Sequence, residues 1–297
     1  MDLRVLRYFL AVAREESISG AAEYLHLSQP TLSRQLMDLE KELGKTLFIR
    51  GSRRITLTEQ GTLLHKRASE ILDLVEKTTG ELTAADDVIA GEIYIGGGES
   101  NAVRLLASTA QQFRAANPQV QFHLFSGNAV DVGERLEKGL LDFGILMGHR
   151  DLKKYDCIKL PAIDVWGVLM RKDHPLAEKE LICPEDLWDE PLIVSQQFAK
   201  TSRFSEWFHR DAQSLNIAAT YNLVFNASLL VEEGLGCALT FDKLVNTAGR
   251  NLCFRPVSPR LEDEIYIVWK KYQVFSKAAE RFLTAVKVDI GNDEKEV

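Results

Sequence analysis

The apolar positions of this chain change period three times. Leu3, Leu6, Leu10 and Ala13 recur at steps of three and four, the period of a helix with one buried face. From Ser17 to Leu43 the run SISGAAEYLHLSQPTLSRQLMDLEKEL reads as two more short helices joined by a tight turn. Ser17 is placed to cap the first, in which Ala21, Ala22 and Leu25 share a face, and Ala22 is small enough to let another helix cross closely above it. Ser28 is placed to cap the second. Pro30 falls in its first turn, where a missing N–H costs nothing, and Leu32, Leu36, Leu39 and Leu43 hold the helical spacing. Gly44 is a stop signal. TLFIRGSRRITLT then alternates and turns at Gly51-Ser52, as a small β-hairpin does.

The third regime is helical from Glu59 to about Val88. Leu64, Ala68, Ile71, Val75, Thr78, Leu82 and Ala85 form a heptad stripe along it. A helix of about 30 residues at 1.5 Å each would extend ~45 Å. An ordinary amphipathic helix lying on its own domain would carry the same stripe. The length, and the place between two dissimilar regions, favour a linker that pairs with a second chain.

Beyond Ala90-Gly91 strands and helices alternate. EIYIGG, VQFHLFSG, DFGILM, DVWGVLMR, PLIVS, TYNLVF, CALTF and EIYIVWK read as strands. Helices are expected over 101–116, 130–138, 203–214 and 229–233, with a short one from Asp242 and a last one from Ser276. Such repeated βαβ units imply parallel sheets covered by helices on both faces. A chain that leaves one subdomain near Leu160 and returns near Tyr266 makes two lobes with a cleft between them, and ligands of open α/β folds bind outside the carboxyl ends of the strands. The expected organisation is a mainly α head over 1–58, a linker helix over 59–89, and a two-lobed α/β domain over 90–297. Lobe I would hold about 90–160 and 267–297, and lobe II about 161–266.

Composition narrows the chemistry. A chain of 297 residues with 45% hydrophobic and 27% charged content is that of a multidomain globular protein. No apolar run approaches the ~20 residues of a membrane span, and the N-terminus lacks a signal peptide's basic start and apolar core, so a cytoplasmic location without membrane contact is expected. Cys157, Cys183, Cys237 and Cys253 are widely spaced, which points to burial rather than a disulfide framework or zinc site. The six histidines form no ligand-spaced pair, so neither a metal nor a cofactor is expected. No G-x-S-x-G elbow or assignable triad supports an enzyme.

Net charge is −7, yet the first 58 residues hold nine basic against seven acidic side chains. A mildly basic head on an acidic body fits contact with nucleic acid at one end only. The front of the third helix then gains meaning. Gln29, Pro30, Thr31, Ser33 and Arg34 put short donors and acceptors and an arginine where a helix reads base edges in a major groove. Arg50, Arg53 and Arg54 cluster at the hairpin. Alone they are a solvated turn; beside a helix-turn-helix they become a wing able to reach phosphates or a narrow minor groove.

In these features the chain resembles the LysR-type transcriptional regulators. The carrying segments are LRYFLAVAREESISGAAEYLHLSQPTLSRQLMDLEKELGKTLFIR, RRITLTEQG, GLLDFGIL and EEGLGCALTF. The resemblance implies a winged helix-turn-helix, a dimerising linker helix and an effector domain similar to periplasmic binding proteins. It further implies a tetramer of paired dimers that binds and bends a double-stranded operator, answers to a small inducer and works with RNA polymerase. Two departures stand out. Met37-Asp38 replaces a basic residue that many relatives carry, which removes one phosphate contact. Glu99 stands in the first effector loop, where relatives are often small or neutral, and would repel a carboxylate inducer.

Candidate effector contacts come from four polar loops. Gly96-Gly97-Gly98 is no dinucleotide fingerprint, but with Glu99, Ser100 and Asn101 it forms a ligand-approach loop at a helix start. Asn128 follows a second strand, Ser195, Gln196 and Gln197 a third, and Asn226 a fourth. Each has a plainer role as a cap or turn residue. Two other functions stay open: a redox regulator using Cys237, although its apolar GLGCALTF setting suggests burial, and a solute-binding protein, against which the head and the missing signal peptide count.

Overall fold

The computed structural model describes residues 1–51, 54–83, 88–148 and 152–293. They fall into two compact units, Met1–Thr83 and Ala84–Val297.

The first unit is built from locally capped helices. α1 (Leu3–Glu15) begins at Asp2, whose side chain accepts from the Arg4 N–H. α2 (Ile18–Tyr24) is capped by Ser17 and α3 (Gln29–Leu43) by Ser28, and Gly44 ends α3 at φ 62°. The turn between α2 and α3 places His26 at φ 54°, left-handed backbone that a non-glycine residue adopts at a cost. It lets the Leu27 N–H donate to the Ala22 carbonyl at 2.9 Å. Leu6, Phe9 and Val12 of α1 meet Ala21, Ala22, Leu32, Leu36 and Leu39 in one core, whereas Leu43, expected in the stripe, is exposed. β1 (Phe48–Arg50) and β2 (Ile55–Leu57) pair antiparallel around the turn at Gly51. A Cβ on Gly51 would lie 2.8 Å from the Arg54 carbonyl oxygen, so no larger residue fits that turn unchanged.

α4 (Glu59–Thr83) corrects one position of the expected stripe, Ala68, which faces the head and not another chain, while Leu64, Ile71 and Val75 stay partly exposed. Ala68 and Leu72 are buried in the head's own core, with Leu64 and Ile71 packed beside them. Among the described side chains, the large apolar groups α4 leaves exposed are Leu63 (60% exposed) and Leu74 (41%), on a different face.

The second unit is two α/β lobes joined by crossing strands. In lobe I, β3 (Gly91–Gly97) is followed by α5 (Val103–Ala116), β4 (Val120–Ser126), α6 (Ala129–Glu137) and β5 (Phe143–Met147). β3 pairs parallel with β4 and β5. β6 (Tyr155–Arg171) is one long strand that leaves lobe I and enters lobe II. There β7 (Leu192–Ser195), α7 (Ser202–Phe208), β8 (Ile217–Tyr221), α8 (Val224–Glu232), β9 (Cys237–Phe241) and β10 (Leu252–Pro256) follow. β11 (Glu262–Lys270) returns antiparallel along β6, pairing with β5 on its other side, and α9 (Lys277–Asp293) closes lobe I. The strand order is β4-β3-β5-β11-β6-β9-β7-β8, with β10 on β6. Parallel pairing holds within the lobes (β7 with β8 and β9), while β6, β10 and β11 run antiparallel to their neighbours.

Apolar side chains fill both faces of each lobe. α5 and α9 cover one face of lobe I through Leu106, Phe113, Ala278 and Phe282, and α6 the other through Val132 and Leu136. In lobe II, α7 packs through Phe204, Trp207 and Phe208, and α8 through Val224, Ala227 and Val231. Three expected elements differ. The helix over 203–214 is α7 plus a 3-10 turn at Ala212–Ser214, residues after Asp242 form turns, and TYNLVF is the end of β8 plus the start of α8.

Candidate DNA-binding surface and effector cleft

The front of α3 is open to solvent. Gln29, Pro30, Thr31 and Arg34 are exposed and Ser33 is half-buried. Ser28 fixes this end: its Oγ accepts from the Thr31 N–H and lies 2.7 Å from the Thr31 Oγ1. Leu32 and Leu36, fully buried on the opposite face, hold the helix down. Arg34 has no ion pair or hydrogen bond among the described residues, so its planar fork of donors is available to an outside acceptor. On the wing, Arg54 is exposed but pairs with Glu16 at 3.6 Å. Arg50 sits at the end of β1, and Arg53 lies outside the described residues.

The cleft of the second unit holds a cavity of about 80 Å³ between the lobes. Lobe I contributes Gly98, Glu99, Asn128 and Met147; lobe II contributes Ser195, Gln196, Gln197, Tyr221, Asn222 and Thr240. Trp166 and Phe241 form its aromatic wall, their rings 4.2 Å apart between centroids, with Phe198 stacked on the far side of Trp166 at 4.1 Å. Among the described residues, Glu99 is the one charged residue of the lining. A Cβ on Gly98 would meet the Met147 methyl group, so the end of that flexible side chain would have to shift to admit a larger residue.

Most polar groups of this site already have partners. The Glu99 carboxylate accepts from the backbone N–H groups of Val224 and Phe225, and half-burial nonetheless pushes its pKa above the usual carboxylate range. The Asn128 Oδ1 accepts from Val130 and Asp131 in a capping box that starts α6. Tyr221 donates to the Leu239 carbonyl at 2.8 Å, and burial raises its pKa. The Ser195 Oγ accepts a long bond, 3.5 Å, from the Phe198 N–H.

The remaining candidates stand elsewhere. Ser100 is buried beneath the loop, accepting from the Ala102 N–H and bonded to Asp164 on β6, and the Asn101 backbone also bonds that carboxylate. The Asn101 Oδ1 takes a bond from the Arg104 Nε at 3.0 Å. Asn226 is exposed on the first turn of α8, away from the cavity. Neither Ser100, Asn101 nor Asn226 lines the cleft; Asn222, four residues earlier, does. Sequence reasoning missed Trp166, Tyr221, Asn222, Thr240 and Phe241. Thr240 did carry a signal, a lone hydroxyl in the apolar run CALTF.

Two buried carboxylates mark the junction of the lobes. Asp164 and Asp263 are directly opposite each other on β6 and β11. Asp263 is paired with Arg203 and receives the Trp166 Nε1 at 3.0 Å, which fixes the indole that walls the cleft. Asp164 has no cationic partner among the described residues, and burial pushes its pKa up.

Residues 3–62 match the family of bacterial regulatory helix-turn-helix proteins of the lysR type, and residues 86–289 match the LysR substrate binding domain. The chain belongs to the LysR family. It is a LysR-type transcriptional regulator with a DNA-binding head and an effector-binding domain, and proteins of this family are regulators rather than enzymes. It is 30% identical over 281 residues to the Hca operon transcriptional activator HcaR of Escherichia coli K12, covering 91% of this regulator and 92% of HcaR. An uncharacterized regulator of Bacillus subtilis, YvbU, is 27% identical over 267 residues, 90% of this chain and 89% of its own. The fold is that of CbnR, a LysR family regulator, with a TM-score of 0.78 at 19% identity over 98% of this chain and 99% of CbnR. Full-length CbnR complexed with its target DNA gives a TM-score of 0.75 at 20% identity, over 97% and 100% of the two chains. Among the described residues no helix is long and apolar enough to cross a membrane, and no cluster of His, Cys, Asp and Glu is arranged to hold a metal.

Proposed function

We propose that the cleft of this regulator takes a small polar effector that is not a dianion, and that effector binding changes how paired heads engage an operator. The cavity lining carries this reading: among the described residues, amides, hydroxyls and an aromatic wall surround a single carboxylate, with no Arg, Lys or His to balance a second negative charge. Side-chain amides and hydroxyls both donate and accept, which suits a neutral, hydroxylated or amine-bearing metabolite with a short apolar part.

On the DNA side, Thr31, Ser33 and Arg34 read bases, Gln29 and Pro30 sit at the helix entrance, and Arg50, Arg53 and Arg54 meet the backbone or minor groove. Two heads joined as a dimer would meet half-sites in successive grooves, about 34 Å apart. A tetramer and contact with RNA polymerase remain part of the same proposal, resting on family membership. The redox alternative is disfavoured at Cys237. A sensor needs an accessible thiolate, whereas this thiol is buried and pushed up to about 12 by its surroundings.

Thermal-shift screening of the intact chain against amines, neutral polyols and dicarboxylates tests the effector class. Selective stabilisation by non-dianionic compounds, weakened by Asn128→Ala, is expected. Stabilisation confined to dicarboxylates and indifferent to Asn128→Ala and Glu99→Gln would sink both the class and the site.

A further inference from the structure

Helix α8 is capped from the wrong lobe. Its N-cap residue is Leu223, which has no side-chain cap to offer, and the helix opens directly toward the cleft with Val224 lining the cavity. In contrast α1, α2, α3, α6 and α7 are each capped by a polar residue adjacent in sequence, and α5, which starts after Ala102, shares only the missing side-chain cap. An uncapped helix start presents unpaired N–H groups and the positive end of the helix dipole, a natural seat for a carboxylate. Here that seat is taken by Glu99, which belongs to lobe I and reaches across the cleft to the N–H groups of Val224 and Phe225.

We propose that Glu99 is a tethered stand-in for an anionic effector: its carboxylate caps α8 from the opposite lobe, holds the effector-free cleft nearly shut, and denies the α8 N-terminus to carboxylate ligands. Two further observations support it. The cavity left beside Glu99 is about 80 Å³, well short of the roughly 300 Å³ at which sites for drug-sized ligands begin. The carboxylate is also half-buried, and that desolvation raises its pKa although the two N–H bonds favour its charge, so it sits at the rim of the cavity within reach of an incoming donor. An ammonium or amide N–H delivered to Glu99 competes with Val224 and Phe225 for its lone pairs and shifts the population toward separated lobes, provided the effector binds that arrangement more tightly. Selection against carboxylates thus arises from occupancy of their seat as well as from repulsion. This inference rests on the cleft being the effector site, although its test needs no effector.

The test is chemical rescue in the full-length chain. Melting temperatures of the wild type, Glu99→Ala and Glu99→Gln are followed against sodium formate and sodium acetate at ionic strength held constant with sodium chloride. Glu99→Ala is expected to melt about 4 °C lower, from the loss of charge-assisted bonds, and to be restored saturably by formate and acetate. The wild type and Glu99→Gln, whose side chains fill the seat, are expected to stay flat. No response in Glu99→Ala, or an equal response in all three proteins, overturns the proposal. If the alanine variant yields no folded protein, Phe225→Pro decides. Its side chain is 65% exposed and proline is tolerated in a first helical turn, so it deletes one of the two donors, at the further cost of disfavouring helical backbone at Val224 before it. A melting temperature about 2 °C lower is expected, and an unchanged one overturns the latch. An effector that stabilises every variant equally leaves the cleft reading standing and removes the latch; acetate rescue without any effector response does the reverse.

Discussion

The two functional surfaces of this regulator keep their polar groups in opposite states. On the head, Arg34 and the front of α3 are exposed and Arg34 has no described partner. In the cleft, Glu99, Asn128, Ser195 and Tyr221 are each bonded within the protein before any ligand arrives. The difference follows from the size of the ligand. A DNA duplex desolvates an outside surface itself and brings a dense row of phosphates, so the protein only has to hold donors ready. A small effector cannot supply that energy and must replace bonds the protein already makes. Under the proposed function, affinity at the head is set by what is added, and response in the cleft by what is exchanged.

The sharpest way to break this contrast is to damage the scaffold that keeps the head's donors ready. Ala68→Asp buries a charge between α4 and α1 and is expected to cost about 3 kcal/mol or more, seen as loss of the head's cooperative unfolding. Leu63→Asp, on the exposed face of α4, is expected to leave that unfolding intact and to weaken self-association instead. Sedimentation and melting of the two variants together decide which face of α4 belongs to a second chain. If Ala68→Asp melts normally but dissociates, the assignment of faces is reversed.

A smaller effect is expected from removing one ready donor. Arg34→Ala should lose about 1–3 kcal/mol of operator discrimination while binding to random DNA hardly changes, as measured by paired titrations. Equal loss on both would remove Arg34 from base reading. Arg54→Ala, already tied to Glu16, is expected to cost less and to flatten the salt dependence of binding by about 0.9 in log–log slope if it meets a phosphate.

In the cleft unit the prediction concerns pH. Burial raises the native pKa of Asp164, with the Asp263 charge adding to it and bonds from Ser100 and Asn101 opposing it. A raised carboxylate contributes stability that is complete below its unfolded value, about 3.9, and is lost as pH climbs through the native one. Asp164→Asn is therefore expected to gain on the wild type as pH rises above the usual carboxylate range. Parallel melting curves across that range would dismiss Asp164 as a contributor. The smallest effect is expected at the turn of the helix-turn-helix, where His26→Gly relieves left-handed strain and should stabilise the head by less than about 1 kcal/mol. Destabilisation there would mean the imidazole itself holds the turn.

The head was legible because everything that specifies it is local. Ser17, Ser28, Pro30 and Gly44 act within a turn of where they stand, and the spacing of Leu32, Leu36 and Leu39 states which face is buried. The stripe on α4 states equally well that a face is buried, but a period of apolar residues does not name the surface that covers it; only the packed structure put α1 there. The cleft was half legible. Strand ends announced Asn128 and Ser195–Gln197, since turn chemistry follows each strand directly. Ser100 had the same signal, and only tertiary packing turned it toward Asp164 instead of the cavity.

The start of α8 was invisible for a physical reason. Local caps reveal helix starts, and this helix has none, so Tyr221-Asn222-Leu223-Val224 reads as one continuous strand and Asn226 takes the place that belongs to Asn222. The missing cap is Glu99, 125 residues away. Sequence alone therefore specified which residues of this regulator carry polar chemistry and that its head binds DNA. The fold alone decided that Glu99 bonds to the start of α8, because a hydrogen bond between distant segments leaves no periodic trace in either.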